Sequence, residues 1–185
     1  DRSNFNIYKL LIQRPAIVKH ALENYSEVVA YVDSDSVATQ YCDRIFDMYD
    51  PNTNYPYFVE GIYDYLIING RGGASSREDL STTLEHPACE LFGVNQYVRQ
   101  KYRQTGYFVA TNNCIDFLDE WFWMCNHPKV LKNFELYAPY HEETLANVLL
   151  WKYSYLNGLP YLYVNGDNQV IDKIFKEKLF TGTPR

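Results

Sequence analysis

The apolar positions of the chain fall into alternating helical and strand-like patterns. Residues 4–24 carry Phe5, Tyr8, Leu11, Ile12, Val18, Ala21 and Leu22 at helical spacing, which predicts a helix with one buried face. Pro15 suits a first turn and not an interior, so it predicts the start of a second helical segment. Val28 to Val32 is an unbroken apolar run rich in β-branched residues. Such a run predicts a strand buried on both faces, as in the centre of a parallel sheet. Thr39 to Tyr49 reads as a short helix, and Asp50-Pro51-Asn52-Thr53-Asn54 as a turn. Tyr55 to Glu60, Tyr63 to Ile68, Gly106 to Ala110 and Leu159 to Val164 read as strands. Pro87 to Phe92, Ile115 to Cys125 and Leu145 to Leu156 read as helices, the second capped by Thr111-Asn112-Asn113. Val170 to Leu179 closes the pattern as helix or strand, and Thr181 to Arg185 reads as a tail.

The apolar run at Val28 ends in Asp33-Ser34-Asp35. Ligands of open α/β sheets bind beyond the carboxyl ends of the strands. Two hard oxygen donors there suit Mg²⁺ or Mn²⁺ and, through the metal, a diphosphate. With 12 aspartates in the chain, roughly one Asp-x-Asp pair is expected by chance, so the strand in front of the pair carries the signal. The competing reading is that the aspartates and serine cap the following segment.

Composition narrows the picture. At 185 residues and 46% hydrophobic, the chain predicts a single domain, 1–185, with an ample core. The net charge of −6 argues against a nucleic-acid partner. The 18 Tyr, 10 Phe and 3 Trp exceed what most domains carry. Most serve packing, and some could line a sugar-stacking cleft, Trp151 among them. Cys42, Cys89, Cys114 and Cys125 form no CxxC unit and read as buried thiols, which suits a reducing, cytoplasmic setting. No apolar run is long enough to span a membrane.

Other chemistry-bearing stretches are weaker. Residues 69–80 hold three glycines with Arg71 and Arg77, and read as a flexible surface loop or as a flap reaching phosphate. The stretch lacks the Gly-Lys-Ser/Thr ending of a P-loop. Arg99, Lys101 and Arg103 read as a solvated basic face. His141-Glu142-Glu143 opens a helix, where acids have a plain dipole explanation. Glu142 or Glu143 could also act as a general base.

Three of these features together resemble the GT-A type of nucleotide-sugar-dependent glycosyltransferases, particularly the xylosyl- and galactosyltransferase families. They are the proline-containing helix leading to Asp33-Ser34-Asp35, the stretch Gln104-Thr105-Gly106-Tyr107-Phe108-Val109 followed by Phe117-Leu118-Asp119-Glu120-Trp121, and Glu142-Glu143-Thr144-Leu145-Ala146-Asn147. The resemblance spans about residues 5 to 165. It implies an α/β fold with a GT-A-like, Rossmann-like, mostly parallel mixed sheet flanked by helices. It also implies transfer of a sugar from a nucleoside-diphosphate sugar to a carbohydrate or glycoconjugate acceptor. Asp33 and Asp35 would hold Mn²⁺ or Mg²⁺ and the donor diphosphate. Ser34, Thr105, Gly106, Tyr107 and His141 would border the substrate, and Glu142 or Glu143 would face the acceptor. The chain departs from the family pattern in Gln-Thr-Gly for Asn-Thr-Gly and in Glu-Glu-Thr at the third motif. It also lacks a late His, for which Asn165 is the nearest stand-in as third metal ligand. One helical region precedes the Asp-x-Asp strand instead of two or three strands. This predicts a fragment or a differently built base pocket, with a sheet edge that favours association. The rival readings are a non-catalytic carbohydrate-binding domain and a nucleotidyltransferase. The second would want further acids on a neighbouring strand, and Gly106 to Ala110 has none.

Overall fold

The computed structural model describes residues 2–34, 37–40, 42–47, 49–60, 87–94, 103–156 and 180–181. The expected strands at Tyr63 to Ile68 and Leu159 to Val164, and the loop 69–80, lie outside them. Helix α1 (Arg2–Leu11) and helix α2 (Arg14–Asn24) are separate, with Pro15 in the first turn of α2. Tyr8 of α1, Ile12 in the turn between the helices, and Val18 and Leu22 of α2 are all buried. Strand β1 (Val28–Val32) follows, then a two-residue strand β2 (Val37–Ala38), a 3₁₀ turn at Cys42–Asp47 and strand β3 (Tyr57–Glu60). Beyond helix α3 (Pro87–Leu91) come strand β4 (Arg103–Thr111) and helix α4 (Ile115–Cys125). Two short helices, α5 (Pro128–Lys132) and α6 (Phe134–Tyr137), lead to helix α7 (His141–Leu156). Strand β5 (Phe180–Thr181) pairs with β2, although a tail was expected from Thr181 onward.

The sheet corrects the main expectation. The three-stranded sheet runs β1-β4-β3, and both pairings are antiparallel. It is not the mostly parallel, Rossmann-like GT-A sheet. Nor is β1 deeply buried: each of its five residues is half-buried. The physical reason lies in what covers its two faces. Val29 and Tyr31 turn toward the main core. Val28, Ala30 and Val32 turn toward a smaller cluster built on Ile45 and Val109. An unbroken apolar run reports that both faces are covered and carries no information on strand direction.

The main core lies between one face of this sheet and helices α2, α4 and α7, which pack on one another in that order. Trp121 stands at its centre, fully buried, with Phe58, Phe108 and Phe117 at ring-centroid distances of 5.8, 5.9 and 6.4 Å in edge-on geometry. Such edge-to-face packing adds to area burial. Phe117, Leu118 and Trp121 bury one side of α4. Asp119 and Glu120, between them in sequence, reach Lys19 of α2 and Lys152 of α7 at 2.6 and 2.5 Å. The Phe-Leu-Asp-Glu-Trp stretch therefore joins three helices. All four cysteines are free, and Cys89, Cys114 and Cys125 are buried. Arg103 is buried rather than on a solvated face.

Trp121→Ala is expected to destabilise the fold by ~3–5 kcal/mol, the range for a buried aromatic. Trp123→Ala, on the same helix but 55% exposed, is expected to cost ~1 kcal/mol or less. Urea unfolding followed by far-UV circular dichroism measures both.

Candidate functional site

A guanidinium holds the site together. Arg14 is the first residue of α2, a position where a cation opposes the helix dipole. Its residue is nonetheless only 6% exposed. The charge is tolerated because carboxylates and hydrogen-bond acceptors surround it. Its Nη2 donates to Asp33 Oδ1 at 2.7 Å. Its Nη1 donates to the Thr105 carbonyl at 3.1 Å and to Thr105 Oγ1 at 2.5 Å, and lies 2.5 Å from Glu142 Oε1. The guanidinium carbon stands 4.7 Å from the centroid of the Tyr31 ring, a cation–π distance. Tyr31 itself stacks on Phe108, centroids 5.2 Å apart.

Three elements deliver these partners. Asp33 follows β1 directly, and its N–H donates to the Gly106 carbonyl at 2.9 Å, carrying the β1–β4 ladder one step past the last strand residue. Its side chain is 34% exposed. Thr105 comes from an irregularity in β4. Phe58 pairs with Phe108, but the next residue, Val59, pairs with Gln104, so β4 bulges over residues 105–107. Glycine inside a strand often marks such a bulge, and Gly106 sits in it. Tyr107 and Val109 belong to the small cluster. The bulge brings Thr105, which regular alternation would place beside them, onto the Arg14 side.

Glu142 and Glu143 come from the first turn of α7. The N–H of Thr105 donates to Glu143 Oε2 at 3.2 Å. The Thr105 hydroxyl stands 3.2 Å from Glu142 Oε1 and 3.4 Å from Glu143 Oε2. It has one proton and can donate to one of them at a time. The Trp121 indole N–H donates to the Glu142 carbonyl at 2.9 Å, tying this turn to the core. One turn later Asn147 brackets the start of β4: it accepts from the Arg103 N–H at 2.5 Å and donates to the Arg103 carbonyl at 2.8 Å.

The electrostatics follow from burial. Glu142 is 2% exposed. Desolvation pushes its carboxyl up to about 7, against the pull of Arg14, and neighbouring Glu143 adds to the rise. Burial alone would lower Arg14, but Glu142 and then Asp33 outweigh it, so its pKa is raised and the guanidinium stays charged.

The expected site residues therefore divide. Asp33, Thr105 and Glu142 meet on Arg14, with Glu143 and Gly106 one bond further out. Ser34 is exposed. Tyr107 turns to the other face of the sheet. His141 adopts a left-handed φ of 54° where α7 begins, and its ring stands 6.3 Å from Tyr8 and 6.5 Å from Phe134, among aromatic rings. Trp151 is buried in the core. Asp35, Asn165, Arg71 and Arg77 lie outside the described residues. Arg14 and Asn147 are the residues that sequence reasoning missed. The available signal for Arg14 was a cation opening a helix, against the dipole, beside an apolar face.

The described residues do not make up a metal centre. Among them no three His, Cys, Asp or Glu side chains come together as one. Asp33 contributes one carboxylate, with Oδ1 on a guanidinium. Among the described residues no helix is long and apolar enough to cross a membrane. No family model, no curated protein and no solved structure matches the chain.

The Glu142 shift has a consequence for stability. Its carboxyl binds a proton more tightly folded than unfolded, so the native state holds the extra proton between the ordinary value of 4.5 and about 7. The contribution is complete below the unfolded value and is lost as pH rises through the folded one. Relative to Glu142→Gln, the wild type is expected to lose roughly 3 kcal/mol of stability as the pH rises across that window. Urea midpoints of the two proteins across this range check the slope.

Proposed function

We propose that the chain is the donor-binding part of a glycosyltransferase that moves a sugar from a nucleoside-diphosphate sugar to a carbohydrate or glycoconjugate acceptor. The observation that carries the reading is the meeting of Asp33, Thr105 and Glu142 on Arg14. These residues come from the three separate stretches that resemble the xylosyl- and galactosyltransferase families, and no two of the stretches are neighbours in sequence. The antiparallel sheet removes fold as support, so the reading stands on the motifs and their convergence.

In this reading Asp33 is the partly exposed group at the strand end and faces the donor. Together with Asp35 it would hold Mn²⁺ or Mg²⁺, a role that rests on the Asp-Ser-Asp pattern. When bound, the cation offsets the charge of the leaving nucleoside diphosphate. An inverting transfer requires a carboxylate to take the proton of the acceptor hydroxyl. Glu142, with its carboxyl near 7, has the proton affinity for this at neutral pH. Glu143 stands beside it on the Thr105 N–H.

Calorimetric titration with uridine- and guanosine-diphosphate sugars, with and without Mn²⁺, tests the proposal. Metal-dependent binding is expected in the wild type, weakened at least tenfold in Asp33→Asn and in Asp35→Ala. Glu142→Gln is expected to lower the transfer rate by ~100-fold or more. Binding indifferent to metal and to both aspartates would overturn the reading in favour of a carbohydrate-binding domain.

A further inference from the structure

Resting on the donor-site reading, we infer that Arg14 is a positioning residue: it fixes the Asp33 carboxylate at the strand end by tying it to the buried Thr105–Glu142 pair. It lies in the first of the three family-like stretches, beside Pro15, but the resemblance gives it no role. Its reach is the reason for the assignment. One guanidinium spans from α2 to the end of β1, the bulge of β4 and the first turn of α7.

Asp33 needs such a holder. It follows the last paired residue of β1, its side chain is one-third exposed, and Ser34 beyond it is exposed. A carboxylate on a strand end would otherwise sample several rotamers. The planar fork of Arg restricts it, because Nη2 is aimed at Asp33 while Nη1 is committed to Thr105 and Glu142. The Tyr31 ring beside the guanidinium, stacked on Phe108, keeps the fork from swinging. The partners are unequal. Glu142 and Thr105 are deeply buried, and Asp33 is the one that also meets solvent. Position is therefore imposed from the core outward, onto Asp33. Lys would keep the charge but lose the two-armed geometry, since its ammonium is a point donor.

The test is a double-mutant cycle on donor binding with Arg14→Lys, Asp33→Asn and the double variant. Calorimetry against the nucleoside-diphosphate sugar that wild type binds gives the affinities, and near-UV circular dichroism checks the fold. Arg14→Lys is expected to weaken binding about tenfold in the wild-type background and less than twofold in the Asp33→Asn background. That non-additivity is the signature of action through Asp33, and a general structural role would not produce it. Equal losses in both backgrounds would overturn the inference while leaving the donor-site reading intact. A wild type that binds no donor would overturn that reading and this inference with it. Should Arg14→Lys fail to fold, Thr105→Val enters the same cycle. It removes the hydroxyl that receives Nη1 and leaves the guanidinium in place, and its loss is likewise expected to vanish in the Asp33→Asn background.

Discussion

A buried cation must be neutralised where it sits, and Arg14 shows how much structure that requirement can organise. Its guanidinium has left water at the start of a helix, where the dipole also opposes it. The compensation comes from Asp33, Glu142, the Thr105 carbonyl and hydroxyl, and the face of Tyr31. These groups belong to three elements and Arg14 to a fourth, so none of α2, β1, β4 and α7 can shift without stranding the charge. Removal of one partner of such a pair is far costlier than the pair is favourable.

The irregular stretch of β4 serves the same constraint. A regular strand would leave Thr105 on the face of Tyr107 and Val109, away from Arg14. The bulge at residues 105–107 re-aims it, at the cost of ladder pairing with β3. Asn147 and Glu143 take up the backbone groups around the bulge, at Arg103 and Thr105. Behind them Trp121 ties the first turn of α7 to the aromatic core through the Glu142 carbonyl. The charged site thus rests on the same ring cluster that packs the sheet against the helices. Two carboxylates of different character result. Glu142 is desolvated and proton-avid, and Asp33 stands at the surface beside it on the same guanidinium.

Much of the secondary structure was legible because local rules govern it. Pro15 marked the start of α2, helical spacing marked α4 with Ile115 and Cys125 as its ends, and the acids at 142 and 143 marked the first turn of α7. The strand end at Asp33 was legible as well, since an apolar run followed by aspartate has few other readings. Strand direction was not, because an apolar run records only the covering of its faces. Arg103 was read as solvated for a similar reason: charge suggests exposure, and its burial depends on α7 packing over the start of β4.

The amino-acid order by itself determined where α2, α4 and the strands β1 and β4 form, because backbone preference and side-chain period act over a few residues. Only the tertiary structure decided that the sheet is antiparallel, that β4 bulges at Thr105, and that Arg14 gathers Asp33, Thr105 and Glu142. Those outcomes depend on desolvation and on contacts between residues distant in the chain. A cation becomes the centre of a site only when the fold removes its water and supplies carboxylates from other elements.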